Sequence, residues 1–355
     1  ELYDLVKENT LAPGNWTQNK IQIDHKNRFS NVSLLDLHAK SKDVEFMPKK
    51  SDAKVMRPDI IASAICAQEL VKDIAPEFLT GDTIAFYMAN GFCLDRLSGT
   101  INEMCSHYFH PEIESLNGKE GFDLAAIKNQ ALDRFTPPLF VLNALTNAAQ
   151  SFGSQYGGFY GDNATLGNTS QSGFYSIEQG AHDVESGATN MAVIGGANGV
   201  GLYSGITNQG FCNGDLAESE GSSFLLLESL ESLNRRGAKP LAKIDYLVDS
   251  KEVPSIFKPV SYDRNFILDN KQSNSAVYSG AFSNESHSEF KLEVSQSYET
   301  SKSVFPYWGN FGVAQNIIDI ALAIELLTKE DKVNVDCFNR DLFGRQSLVG
   351  IGSSF

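Results

Sequence analysis

The sequence predicts one compact α/β domain built of two halves of similar plan. Three observations carry that prediction. Short β-rich apolar runs alternate with stretches that repeat apolar residues at helical spacing, glycines stand at the junctions, and the same alternation begins again in the second half. The halves are expected to span residues 1–215 and 216–355.

The first predicted element follows a polar, irregular opening that runs through Lys54. Over residues 57–74, Pro58 suits a first helical turn, and Ile61, Ala64, Ile65, Ala67, Leu70 and Val71 form a broad apolar face. Residues 83–88 then read as a buried strand, with Asn90-Gly91 as its turn. A helix is predicted over 138–152, dense in Leu139, Phe140, Leu142, Ala144, Leu145, Ala148 and Ala149, and the glycines at 153, 157, 158 and 161 break its pattern. From Ser172, residues Phe174, Ile177, Ala181 and Val184 recur on one helical face that Gly187 closes. Residues 191–196 complete the half as a central strand ending in Gly195-Gly196.

In the second half Phe224-Leu225-Leu226-Leu227 reads as a continuous apolar strand. Val313, Ile317, Ala321 and Ile324 mark a helical face after Gly312. Between them, residues 249–299 lack long apolar runs and are expected to be looped.

Composition excludes several function classes. With 355 residues and 42% hydrophobic content the chain can bury a substantial core. A net charge of −15 argues against nucleic acid, whose phosphates require a basic surface, and against an acidic carrier protein docking directly on this chain. No apolar run is long enough to cross a bilayer, and the first residues show no signal-peptide pattern, so a cytoplasmic protein is expected. The five cysteines lie far apart, in neither CxxC pairs nor a compact framework, which predicts free thiols and no metal cluster. His107 and His110 lie near Cys105 at a spacing that fits no zinc pattern, and His182 reads as a helix-surface residue. No cofactor is expected.

Four segments in order, with a short Arg-Gly-Ala motif after them, resemble the beta-ketoacyl synthases of the thiolase superfamily, over roughly residues 57–355. Pro138-Leu139-Phe140-Val141-Leu142-Asn143-Ala144-Leu145-Thr146-Asn147 resembles the interface helix of that family. Gly161-Asp162-Asn163 followed by Thr169-Ser170-Gln171-Ser172-Gly173 resembles the nucleophile segment, where Gly-Pro-Asn precedes Ala-Cys-x-Ser-Gly at the same spacing. Gly187 with Ala192-Val193-Ile194-Gly195-Gly196 matches the strand that follows, and Ser219-Glu220-Gly221-Ser222 through Glu228, then Arg236-Gly237-Ala238, match two further motifs. The resemblance implies a thiolase-like layered α-β-α-β-α fold.

The departures from the family pattern fall on its catalytic groups. A condensing enzyme of this family uses a thiolate at a helix amino end, where N–H groups and the helix dipole favour negative charge, and two histidines that assist decarboxylation and stabilise the oxyanion. Ser170 stands at the nucleophile position, and a hydroxyl needs a base beside it that the sequence does not reveal. Ser279, within Tyr278-Ser279-Gly280-Ala281, aligns with the first histidine and Gly309 with the second. Val304 aligns with the usual lysine, and Lys302 is out of register. The aromatic residues Phe305, Tyr307, Trp308 and Phe311 are expected to fill the space that histidines and substrate would occupy.

Groups that act as one catalytic unit are not lost together without loss of the reaction. The resemblance therefore implies a non-catalytic chain-length factor, the beta subunit of a type II polyketide synthase making an aromatic or aryl-polyene product. Its partner would be an active ketosynthase alpha subunit in a heterodimer, with the acyl carrier protein docking mainly on that partner. Phe140, Asn143, Ala144 and Leu145 are the candidates for gating the acyl channel at the interface, Phe140 foremost for its bulk. Two alternatives stand beside this reading: a serine-dependent acyltransferase or hydrolase using Ser170, with His287 or His107 brought close by a loop, and a purely structural scaffold subunit.

Overall fold

The structure is a computed structural model and describes residues 49, 51–52, 56, 58–72, 74–79, 84–91, 145–167, 170–199, 221–250, 265–280, 284–304, 310–341 and 344–353. Helix α1 (Pro58–Val71) leads to strand β1 (Ile84–Asn90). Helix α2 (Ala148–Gly157), strand β2 (Asn163–Gly167), helix α3 (Ser172–Glu185) and strand β3 (Met191–Asn198) follow. Next come β4 (Gly221–Glu228), α4 (Leu230–Arg236) and β5 (Ala242–Asp249). Helix α5 (Phe266–Asn270), β6 (Ser275–Gly280), α6 (Asn284–Ser297) and β7 (Thr300–Lys302) precede a 3₁₀ turn at Gly312–Ala314. Helix α7 (Gln315–Lys329) and strands β8 (Asn334–Arg340) and β9 (Gln346–Ser353) complete the order.

The strands form two sheets of one plan, β2-β1-β3-β4 and β7-β6-β8-β9-β5. In each, a central strand pairs in parallel with two neighbours, and an antiparallel strand follows the second of them. The helix between the second and third strands of each set, α3 in one and α7 in the other, occupies the equivalent place in sequence. Strand β4, beyond residue 215, is the last strand of the first sheet.

Burial shows how the elements stack. Strand β1 alternates: Phe86 and Met88 face a cluster with Ile60 and Ala67 of α1 and Ala148 and Ala149 of α2, whereas Ala85 and Tyr87 face inward with Ala192. Between the sheets, Phe174 and Ile177 of α3 and Ile317, Leu322 and Leu326 of α7 join Ile194, Val277, Cys337 and Val349 in the largest core. On the far side of the second sheet, Phe266 and Ile267 of α5 and Phe290 and Val294 of α6 cover Tyr278, Phe338 and Leu348. The layers run helix, sheet, helix, sheet, helix, the α-β-α-β-α arrangement that the sequence predicts.

Several local expectations differ from the structure, among them the end of β3, which runs through Gly195-Gly196 to Asn198. The described helix in the third predicted segment starts at Ala148, behind a turn at Thr146-Asn147, and continues through Gly153 and Gly157 to a left-handed Gly158 at φ 76°. Those two glycines are close-approach positions: a Cβ on Gly153 would stand 2.6 Å from Ser63 Oγ, and one on Gly157 2.4 Å from the Phe159 ring. Residues 249–299 are not a loop throughout, since α5, β6 and α6 lie within them. Their apolar runs are short because Val277 and Tyr278 are buried on opposite faces of one strand while Phe290 and Val294 lie four apart on a helix. Strands β2, β5, β7, β8 and β9 were not foreseen; β8 and β9 carry polar residues at their buried ends.

Candidate functional site

The site lies at the carboxyl ends of the parallel strands β6 and β8, where they meet the amino ends of α3 and α7. Side chains on this face of the second sheet must end in polar groups here, because strand β8 delivers Asn339 and strand β6 delivers Ser279 two residues beyond the core positions Cys337 and Val277. Ser170 directly precedes the first turn of α3 and is 6% exposed. The α3 turn lies against the start of α7, so closely that a Cβ on Gly173 would stand 2.9 Å from Val313 O.

One hydrogen-bonded chain runs through these residues. Ser170 Oγ donates to Asn339 Oδ1 at 3.2 Å, and Gln171 Nε2 donates to the same oxygen at 2.9 Å and to the Arg345 carbonyl at 3.2 Å. Asn339 Nδ2 donates to Ser279 Oγ at 2.6 Å, and Ser279 Oγ in turn donates to Asp319 Oδ2. Gln315 Nε2 donates to Asp319 Oδ1 at 2.9 Å, and the Phe311 N–H donates to Gln315 Oε1 at 3.0 Å. Each of these side chains is buried. A buried polar group without a partner is costly, and a chain in which donors meet acceptors lets several of them be buried together.

The electrostatics follow from burial. Removal from water pushes the Asp319 carboxyl up to about 7, against the opposing effect of its bonds from Ser279 and Gln315. Burial likewise pushes the neighbouring Cys337 thiol well above its usual value, with the Asp319 and Asp336 carboxylates acting the same way, so it stays protonated. Cys66 and Cys337 are free thiols, and burial raises Cys66 to about 11, the opposite of an activated thiolate.

The turn beside Gln171 is pinned from outside. Arg345 pairs with Asp249 at 2.5 Å and stacks over Tyr175 of α3 at 4.8 Å, and its backbone N–H donates to Asp341 Oδ1 at 2.9 Å. Arg340 lies on the opposite face of the sheet, over the Phe290 ring at 4.3 Å and against Glu293 at 3.2 Å.

The structure brings two of the predicted positions together: Ser170 and Ser279 are joined through the one amide of Asn339. Gly309, Phe140, Asn143 and Ala144 lie outside the described residues, as do Glu220, Phe305, Tyr307, Trp308 and His107. Leu145 stands ahead of α2 and is 42% exposed, rather than on a helix face. Phe311 is buried, within 2.8 Å of a Cβ placed on Gly221. His182 is exposed in the last turn of α3, and Val304 is buried.

Sequence reasoning missed Gln171, Asn339, Asp319 and Gln315. Gln315 and Asp319 carry a weak signal, two polar residues four apart on an otherwise apolar helix face. Asn339 carries none, since its partners are 169 and 60 residues away. Among the described residues no group of His, Cys, Asp and Glu could hold a metal ion, and no helix is long and apolar enough to cross a membrane.

No protein-family profile matches the chain, and no curated protein matches its sequence. Solved structures match its fold. A type II PKS acyl-carrier protein in complex with its ketosynthase bound to the hexaketide superposes with a TM-score of 0.68 at 14% identity, covering 92% of this chain and 90% of that one. A beta-ketoacyl synthase from Burkholderia phymatum STM815 gives 0.64 at 12% identity over 87% of this chain and 86% of that one. The ishigamide ketosynthase/chain length factor gives 0.61 at 16% identity over 86% of each. Layer order, duplicated sheet plan and these superpositions agree: the chain has the thiolase-like fold of the ketosynthases.

Proposed function

We propose that the chain is a non-catalytic chain-length factor. It pairs with an active ketosynthase alpha subunit of a type II polyketide synthase of aromatic or aryl-polyene type, shapes the acyl channel, and so sets product length. The acyl carrier protein then docks mainly on the partner, as the net charge of −15 on this chain favours.

The observation that carries the reading is the partner of Ser170. Its hydroxyl faces an amide oxygen, Asn339 Oδ1, and an amide oxygen does not take up a proton at neutral pH, so the hydroxyl is not converted into a nucleophile. The Asp319 carboxylate reaches Ser279 instead, and Asn339 separates it from Ser170. Strand β2 at the edge of the first sheet supports a docking role: it pairs with β1 on one side and is partly exposed along its length. Phe140, Asn143, Ala144 and Leu145 remain the residues proposed to line the channel at the interface, within one ketosynthase-like domain of two halves.

The test is co-expression with an active ketosynthase, purification of the complex, and intact-mass measurement of each subunit after incubation with malonyl-loaded carrier protein. Acyl label on the partner alone, in a stable one-to-one complex, is the expected result. Label on this chain that disappears in Ser170→Ala would replace the proposal with a serine acyltransferase. In the same complex Phe140→Ala should lengthen the product; unchanged length would leave a scaffold without a channel role.

A further inference from the structure

The hydrogen-bonded chain at the site has a fixed direction, because backbone groups that cannot reverse hold both ends. At one end Gln171 Nε2 meets the carbonyl oxygens of Asn339 and Arg345, at 3.4 and 3.2 Å, so this atom must be the amide nitrogen. The Asn339 atom that it also contacts must then be the oxygen, which leaves Nδ2 facing Ser279 Oγ and makes the Ser279 hydroxyl donate onward to Asp319. At the other end the Phe311 N–H fixes Gln315 Oε1 as an acceptor, so Gln315 Nε2 donates to the second oxygen of Asp319. Both Asp319 oxygens are therefore committed as acceptors. That is the hydrogen-bonding pattern of an ionised carboxylate, held at a position 1% exposed.

Among the described residues, no opposite charge faces it. Helix α7 packs against β6, β8, β9, α3, β3, β4 and the 3₁₀ turn. From β8 the ionisable group on this face is the Cys337 thiol, which stays neutral. Asp336 is bound to Tyr246 and Tyr298 on the other face, and Arg340 is there with Glu293. From β6, β9 and α3 the facing polar groups include Ser279, Ser347, Ser170 and Gln171, none of them charged, Tyr175 of α3 is engaged with Asp249 and Arg345, and β3 and β4 present Ile194, Leu225 and Leu227. Glu325, further along α7, pairs with Lys329.

We propose that Asp319 is a proton-controlled latch: ionised, it accepts from Ser279 of β6 and from Gln315, which holds the turn at Phe311, and protonated, it must either oppose the Gln315 amide or reverse its hydrogen bond with Ser279. A proton on Oδ1 opposes the Gln315 amide, whose orientation Phe311 fixes. A proton on Oδ2 reverses the hydrogen bond with Ser279: Ser279 Oγ, which already accepts from Asn339 Nδ2, accepts a second time from Asp319, and its own proton turns away. Either way the change is felt at the segment leading into α7 or, through Asn339, at Ser170 and Gln171. Burial brings the titration to about pH 7, so both states are populated near neutrality. The latch needs no partner and holds whether or not the chain is catalytic.

The experiment is amide NMR of the full chain between pH 5 and pH 9, following the Phe311 backbone amide and the side-chain amides of Gln315 and Asn339. A common midpoint near neutral pH is expected, absent in Asp319→Asn and moved to higher pH in Ser279→Ala, which removes a donor that favours the anion. Amides that do not titrate, or that titrate unchanged in Asp319→Asn, would overturn the latch. Should Asp319→Asn not fold, an unmoved midpoint in Ser279→Ala overturns it equally.

Discussion

Ser170 and Asn339, brought together from the amino end of α3 and the carboxyl end of β8, share a buried hydrogen bond of 3.2 Å in which the hydroxyl donates to an amide oxygen. The Ser170 hydroxyl is thus part of a buried hydrogen-bonded network. Asn339 is its centre, since it accepts from Ser170 and Gln171 and donates to Ser279.

Asn339→Ala should accordingly cost about 1–3 kcal/mol, the range for leaving buried polar partners unsatisfied. Ser170→Ala should cost less than about 1 kcal/mol, because Asn339 Oδ1 keeps its bond from Gln171. Urea unfolding of the two variants checks the order, and equal losses would contradict it.

The buried carboxyl makes stability depend on pH. Asp319 titrates at about 7 in the folded chain against an ordinary 3.8, so between these values the folded state holds a proton that the unfolded state has released. Its contribution is present below about pH 4 and lost as pH rises to about 7, on the order of a few kcal/mol for a shift of this size. Relative to wild type, Asp319→Asn should therefore gain stability by that order between pH 4 and pH 8. Parallel profiles in denaturant titrations across this range would contradict the prediction.

Gly196 lies where the first sheet approaches the start of α7. A Cβ there would stand 2.6 Å from the Ala314 Cα and 3.1 Å from the Val313 carbonyl, and backbone cannot swing aside as a side chain would. Gly196→Ala should destabilise by about 1–3 kcal/mol through overpacking. Thermal unfolding would show it as a lowered midpoint.

The proposed pairing has a consequence for the chain by itself. An interface left without its partner exposes more apolar area than an ordinary surface patch, so the chain expressed alone should self-associate or be poorly soluble. Light scattering after gel filtration measures this, and a well-behaved monomer would count against the pairing.

The sequence by itself determined the elements whose signal is local. Helices α1, α3 and α7 carry apolar residues at spacings of three and four, and β1, β3 and β4 are short apolar runs bounded by polar residues or glycine, so periodicity alone locates them. It also singled out Ser170, as an expectation from one contiguous motif that resembles the ketosynthase nucleophile segment. Tertiary structure decided what has no local signature. Gly153 and Gly157 lie inside a helix because α1 and the Phe159 ring press against it, although glycine ordinarily ends one. Strand β6, too short to declare itself among polar neighbours, is a strand because α7 and α6 bury its two faces. The partners of Ser170 and Ser279 came from β8 and α7, and an isolated Asn or Asp in a sequence does not reveal that it will be buried. Burial, not residue type, made Asn339 the junction of the network and moved Asp319 into the neutral range.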